Sequence, residues 1–284
     1  MSELVPISAL LDQTAEVVGS RHEARWLCEV AVGLDGDELD AALDEPATVR
    51  TVAHLDAMVA RYRAGEPLAY VLGRWSFRHL DLAIDRRVLI PRPETELVAG
   101  LAIELSAVVP GPRTVADLGT GSGAIGLSLA FELPVADTTV WMTDVSDDAI
   151  AVARANLAGI GRTARNVRIA SGSWFDALPS DVVCDVVVSN PPYVAVGSPD
   201  LGESVRDWEP GSALFAGTDG LDDIRTLIAG APDRLAADGH LVLEIGADQG
   251  GAVRELLDIH GYRDAAIRPD LAGHDRVAVG RRPI

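Results

Sequence analysis

The run Val186-Val187-Val188-Ser189 stops abruptly at Asn190-Pro191-Pro192-Tyr193. Consecutive β-branched residues read as a strand buried on both faces, the signature of a parallel sheet covered by helices. Two prolines cannot continue a hydrogen-bonded ladder, so the strand must end there. Each proline also drives the residue before it out of helical geometry. The result is a stiff elbow at a strand's C-terminal end, the edge where open α/β sheets keep their ligands.

The elbow carries a definite chemistry. The Asn190 amide oxygen and the Pro191 carbonyl are acceptors, and Tyr193 adds a flat face. Such a set suits a planar –NH2 group, because both N–H bonds are held while the nitrogen is presented out of plane. A proline-rich turn after a core strand accounts for the same residues, so the rest of the chain must decide.

From Thr114 onward strands and helices alternate, which calls for a mostly parallel sheet with covering helices. Strands are expected at 115–118, 140–144, 167–170, 186–189 and 241–245. Helices are expected at 124–130, 147–157, 221–235 and 250–259, and segments 263–267 and 276–280 close the chain as an antiparallel pair. Asp117-x-Gly119-Thr120-Gly121-Ser122-Gly123 follows the first of these strands and opens a helix. Glycines there let the backbone approach a ligand, and the helix N-terminus adds positive potential.

Gly121, Gly123 and Gly126 formally satisfy a dinucleotide fingerprint. The acids argue for another ligand. Asp117 would face a cationic amino-acid portion better than a pyrophosphate, and Asp144, ending the next strand, can take both hydroxyls of a ribose. A ligand with a ribose, an ammonium and a sulfonium but no phosphate is S-adenosylmethionine. Helix capping or loop solvation is the plainer account of the two acids.

Residues 1–72 lack strand alternation. Leu10, Leu11, Ala15 and Val18 fall at helical spacing, as do Ala24, Leu27, Cys28 and Ala31. Thr48 can cap a helix through Val52, Leu55, Val59 and Tyr62, with Gly65 past its end. The segment reads as a small acidic helical domain, either a docking surface or merely a solvated face. Segments 75–82 and 87–90 are expected to pair as a hairpin around Asp85-Arg86, filling a linker at 73–92. The catalytic domain would then occupy 93–284.

Composition removes several classes. All 24 basic residues are arginine, which excludes a P-loop lysine, a Schiff-base lysine and a lysine general base. The net charge of −19 weighs against a nucleic-acid backbone as partner. Cys28 and Cys184 lie far apart, and neither they nor the histidines have metal-ligand spacing. Buried reduced thiols, an N-terminus without a basic signal region and the lack of a long apolar run point to a cytoplasmic protein off the membrane.

The combination Asp117-Leu-Gly-Thr-Gly-Ser-Gly123 with Asn190-Pro-Pro-Tyr193 resembles class I methyltransferases that act on nitrogen in planar groups. Gly65-Glu-Pro-Leu-Ala-Tyr-Val-Leu-Gly73, Leu89-Ile-Pro-Arg-Pro-Glu-Thr-Glu96, and Val205-Arg-Asp-Trp-Glu-Pro210 followed by Ala213-Leu-Phe narrow the resemblance to the PrmC/HemK family. These are glutamine-N5 methyltransferases of peptide chain release factors. From Gly65 onward the match is specific; before that it rests on helical character.

The resemblance implies a seven-stranded Rossmann-like sheet behind a helical domain, with S-adenosylmethionine as cofactor. It implies that Gly119 to Gly123 cradle the methionine part, that Asp144 binds the ribose and that Trp174 lies near the adenine. Asn190, Pro191, Pro192 and Tyr193 would hold the glutamine amide of a Gly-Gly-Gln loop. The family often has an acid just before the aromatic, contacting the adenine amino group; here Ser173 stands there. Arg92 and Glu96 either brace the substrate loop or pair with each other. The expected enzyme is a monomer that binds a release factor, not nucleic acid or membrane. Competing readings are a ribosomal-protein glutamine, a nucleic-acid amino group, or a donor-binding module without turnover.

Overall fold

The computed structural model describes residues 5–199 and 201–284. The expectation about an N-terminal signal rests partly on residues 1–4, outside those described. The chain divides into two compact units. One comprises the chain up to Arg74 together with Glu203–Trp208, and the other comprises Trp75–Gly202 and Glu209–Ile284.

The first unit begins with helices α1 (Ile7–Val18), α2 (Arg21–Val32), α3 (Asp37–Ala42), α4 (Val49–Arg63) and α5 (Leu68–Leu72). Their apolar stripes meet in one core built on Leu10, Leu11, Leu27, Cys28, Leu39, Leu55 and Met58. Ser20 caps α2 and Thr48 caps α4, each side chain accepting a backbone N–H three residues on.

Strands β1 (Arg74–Phe77) and β2 (Leu80–Ala83) form a two-stranded hairpin. It is tighter than expected, turning at Arg78, which holds φ at +51°. Residues 87–90 are not a strand. Asp85 accepts from the Arg87 backbone N–H (3.0 Å) and its guanidinium (2.8 Å), a local turn that competes with strand pairing.

Then follow α6 (Thr95–Ala107), β3 (Arg113–Leu118), α7 (Ala124–Glu132), β4 (Thr138–Asp144), α8 (Asp147–Ile160), β5 (Val167–Ser171) and β6 (Cys184–Ser189). After them come α9 (Glu203–Trp208), α10 (Asp222–Gly230), β7 (Leu235–Glu244), α11 (Gly250–Ile259), β8 (Arg263–Pro269) and β9 (Asp275–Arg281). Helix α9 groups with the first unit, where Trp208 lies beside Gly65. Helix α10 ends at Gly230, with Pro232 just beyond, so Leu235 starts a strand instead of finishing a helix as expected.

The second unit is a seven-stranded sheet ordered β5-β4-β3-β6-β7-β9-β8. Its first five strands run parallel, and β9 is antiparallel to both neighbours. Val186, Val187 and Val188 are fully buried at the sheet centre, as the sequence requires. The strand order reverses between β3 and β6, and the crevice outside that point is where such a sheet binds ligands. Registry pairs Asp117 with Met142 and Val188, and Ser189 with Leu243. The glycine loop, Asp144, Asn190 and Glu244 therefore leave the sheet along one edge. No described helix is long and apolar enough to cross a membrane.

Candidate active site

At this edge lies a cavity of about 290 Å³, lined by Gly119 to Ser122, Asp144, Ser146, Ser173, Trp174, Asn190 and Pro192, among others. The loop after β3 and the elbow after β6 thus face one space. Val88, Leu89 and Pro91 form one wall and Pro210, Ser212 and Ala213 another.

The loop is held from below. Asp117 is 1 % exposed and does not line the cavity. Its Oδ2 accepts from the Thr120 hydroxyl (2.5 Å) and the Gly126 backbone N–H (2.8 Å), tying loop to helix α7. These bonds occupy Oδ2, so the expectation that Asp117 faces the ligand's cationic portion rests on its other oxygen. Its Oδ1 is buried and has no hydrogen-bond partner among the described residues. Gly121 sits at φ +56° with open space where a Cβ would project, which is a cradle for a ligand. At Gly123 a Cβ would strike Leu127 and Met142 at 2.9 Å, so this glycine serves helix–strand packing.

Asp144 borders the cavity. Its Oδ2 accepts from Gly121 N–H and its Oδ1 from Ser146 N–H, both at 2.9 Å. Burial raises its carboxyl above the usual range, opposed by those backbone N–H groups. Both oxygens keep a lone pair for further donors. Trp174 adopts φ +41°, rare for a bulky residue, and its ring approaches Gly119 so closely that a Cβ there would lie 3.2 Å away. Its side chain donates to Asp223, a carboxylate that also lines the cavity.

The elbow is over-determined. The Ser189 hydroxyl donates to Leu118 O at 2.6 Å, and Gln249 Nε2 donates to Tyr193 O at 3.0 Å. Asn190 Nδ2 donates to Thr95 Oγ1 at 3.2 Å, which leaves its amide oxygen without a share in that contact. The Thr95 and Tyr193 hydroxyls donate to the two oxygens of Glu244, at 2.6 and 3.1 Å. Pro191 is buried, and Tyr193 packs against the main apolar core; neither lines the cavity, whereas Asn190 and Pro192 do.

Arg92 and Glu96 do not pair with each other. The Arg92 guanidinium pairs with buried Glu209, whose Oε2 accepts from Ile90 N–H at 3.1 Å. That clasp joins the two cavity walls. Glu96 instead accepts from the Arg78 backbone N–H at 3.0 Å and does not line the cavity.

The family described as "Methyltransferase small domain" matches residues 100–202, and "PrmC N-terminal domain" matches residues 7–73. The release factor glutamine methyltransferase of Neisseria gonorrhoeae is 45% identical over 80% of this chain and 80% of its own. The same enzyme of Xylella fastidiosa is 41% identical over 98% of both chains. The chain belongs to the release factor glutamine methyltransferase family. A solved methyltransferase from Pyrococcus furiosus shares the fold, with a TM-score of 0.52 at 19% identity over 79% of this chain and 98% of that one.

Within this family pattern, Ser173 replaces the acid expected before the aromatic, and Asp223 brings a carboxylate to the same part of the cavity from α10. Sequence reasoning missed Asp223, Thr95, Glu244 and Asn156. The last sends Nδ2 to Ser122 O at 2.8 Å while its Oδ1 accepts from Ala83 N–H at 2.7 Å, clamping the loop to the hairpin. Only Glu244 left a signal, a charged residue inside the apolar run Leu241-Val-Leu-Glu-Ile245.

Burial pushes the Asp117 carboxyl up to about 7 from 3.8. Its folded-state value lies above the unfolded one, so its contribution to stability is full below the unfolded value and is lost as pH rises through about 7. Asp117→Asn keeps an acceptor for Thr120 and Gly126 but never ionises. It is expected to be more stable than the wild type at pH 8 by roughly 1–3 kcal/mol, with most of that advantage gone at pH 5. Urea melts at the two pH values check this; a difference that does not change with pH contradicts it.

Proposed function

We propose that this chain transfers a methyl group from S-adenosylmethionine to the side-chain amide nitrogen of the glutamine in a release factor's Gly-Gly-Gln loop. The observation that carries the reading is the single cavity shared by the glycine loop and the Asn190 elbow.

The residues present fit the cofactor. The Gly119–Ser122 backbone offers the cradle, Asp144 offers two oxygens to a ribose diol, and Trp174 with Asp223 offers a face and an acceptor for an adenine. The orphaned Asp117 Oδ1 adds negative potential behind the loop, suited to an ammonium group. When bound, the cofactor supplies a methyl group on an electrophilic sulfonium.

An amide nitrogen is a poor nucleophile, since its lone pair is delocalised, so the chain's task is alignment. Asn190 Oδ1, at the cavity, accepts one amide N–H bond, and the Pro191 carbonyl, which does not line the cavity in this structure, accepts the other once the acceptor is seated; both favour positive charge growing on the nitrogen. Correct alignment contributes up to roughly 7–11 kcal/mol of barrier reduction in the best cases. Pro192 bounds the acceptor's position. Tyr193, tied to Glu244, stiffens the elbow; stacking of its ring on the substrate amide would need it to turn from the core. The proton leaves after transfer, and no base is required beforehand. The Arg92–Glu209 clasp fixes the two walls in place for the incoming loop.

In this reading the helical unit recognises the body of the release factor, and the enzyme works as a cytoplasmic monomer. The strongly acidic chain suits a free release factor better than one surrounded by ribosomal RNA. Incubation with methyl-labelled S-adenosylmethionine and, separately, release factor, ribosomal proteins or DNA tests the reading. Label is expected in the release factor alone and is lost when its loop glutamine is changed to alanine. Label in ribosomal protein or DNA overturns the assignment.

A further inference from the structure

The polar chain behind the elbow runs Asn190–Thr95–Glu244–Tyr193, and its third member is a carboxyl only 1 % exposed on the last residue of β7. Thr95 has one hydroxyl proton. The shorter contact, 2.6 Å, gives that proton to Glu244 Oε2, so Thr95 Oγ1 can only accept from Asn190. The Asn190 –NH2 then points to Thr95 and its oxygen is turned away, the orientation an incoming –NH2 group needs. Placing a proton on Glu244 in the same short contact reverses the chain. The carboxyl then donates to Thr95, Thr95 donates to Asn190, and Asn190 must offer its oxygen inward and its –NH2 to the cavity. Two –NH2 groups face to face cannot hold each other.

We propose that Glu244, acting through Thr95, sets which end of the Asn190 carboxamide faces the acceptor, and that proton uptake at Glu244 switches methyl transfer off. The inference rests on the proposed amide acceptor. Glu244 is a positioning residue, since Thr95 and Asn190 stand between it and the cavity.

The groups facing Glu244 come from three directions. Thr95 and the acidic Glu94 approach from α6 and its start, Tyr193 from the elbow, and Arg276 from β9. Arg276 spends one N–H on Ile245 O at 3.1 Å. Burial outweighs the hydrogen bonds and the arginine, lifting the carboxyl to about 7. The switch therefore falls in a range where an enzyme can be assayed.

The test follows the Asn190 side-chain amide by ¹⁵N–¹H NMR in the full-length protein, from about pH 5.5 to about pH 8.5, with the signals assigned by comparison with Asn190→Ala. The signals are expected to shift with a midpoint near 7 in the wild type. They should stay fixed in Glu244→Gln and in Thr95→Ala, while Thr95→Ser keeps the shift. At saturating cofactor and release factor, kcat should fall roughly tenfold per pH unit below the same midpoint and become flat in Glu244→Gln. Asp117 also titrates near 7 but does so in both proteins, so the difference isolates Glu244. Asn190 signals that ignore pH in the wild type, or a wild-type pH profile surviving in Glu244→Gln, overturn the proposal. Absence of transfer to release factor at every pH refutes the substrate reading instead, and the NMR titration still judges the relay.

Discussion

Asn190→Ala lowers kcat for methyl transfer by about 10²–10³ and leaves cofactor binding in place, by analogy with losing one hydrogen-bonding group from a preorganised electrostatic site. The reason is geometric. Asn190 leaves the sheet at the end of a strand whose last four residues are fully buried, and its –NH2 is held by Thr95 at 3.2 Å. Its oxygen is thus fixed before the acceptor arrives and needs no reorganisation. Alanine removes that oxygen and leaves only the Pro191 carbonyl, so the acceptor amide keeps one restraint out of two and rotates off line. Because the glycine loop and Asp144 are untouched, the cofactor's dissociation constant measured by calorimetry should move little. Near wild-type kcat in this variant means that the carboxamide does not align the acceptor.

Asp144→Ala separates the other half of the site. It should weaken cofactor binding by about 10²–10⁴, since hydrogen bonds to a charged group contribute roughly 1.5–3 kcal/mol each and two are removed from the ribose. A second loss adds to this. Asp144 Oδ2 also accepts from Gly121 N–H at 2.9 Å, so the loop itself loosens. The apparent KM for the cofactor should rise by that factor, with a much smaller change in kcat once the cofactor saturates. Asp144→Asn, which keeps one acceptor, should fall between. A dissociation constant within threefold of the wild type contradicts the ribose assignment.

The parts of the fold visible in the sequence are those governed by local periodicity. The valine run of β6, the glycine loop after β3 and the Thr48 cap of α4 each announce themselves within a few residues. The elbow and the loop could be placed on one edge because parallel strands expose their C-terminal ends together. What stayed hidden depends on distant partners. Thr95 is the first residue of α6, yet its hydroxyl serves Glu244, 149 residues away. Arg92 finds Glu209 across 117 residues, not its near neighbour Glu96. Asp117 looked like a ligand residue because acids at strand ends often are. Its Oδ2 also accepts from Gly126 N–H, so it braces the loop as well, a task that only the fold reveals. Residues 87–90 carry strand-like composition, but the Asp85–Arg87 turn and the cavity wall claim them. The site is thus legible where strand ends dictate position and illegible where a polar side chain has several possible partners.

The central claim is that this cavity presents a glutamine –NH2 to a methyl donor. Tandem mass spectrometry of release factor treated with the enzyme and S-adenosylmethionine tests it most directly. A single methyl group on the side-chain nitrogen of the Gly-Gly-Gln glutamine, missing when Asn190→Ala replaces the wild type, is the predicted result. A methyl group on any other residue, or equal modification by the two proteins, contradicts the account.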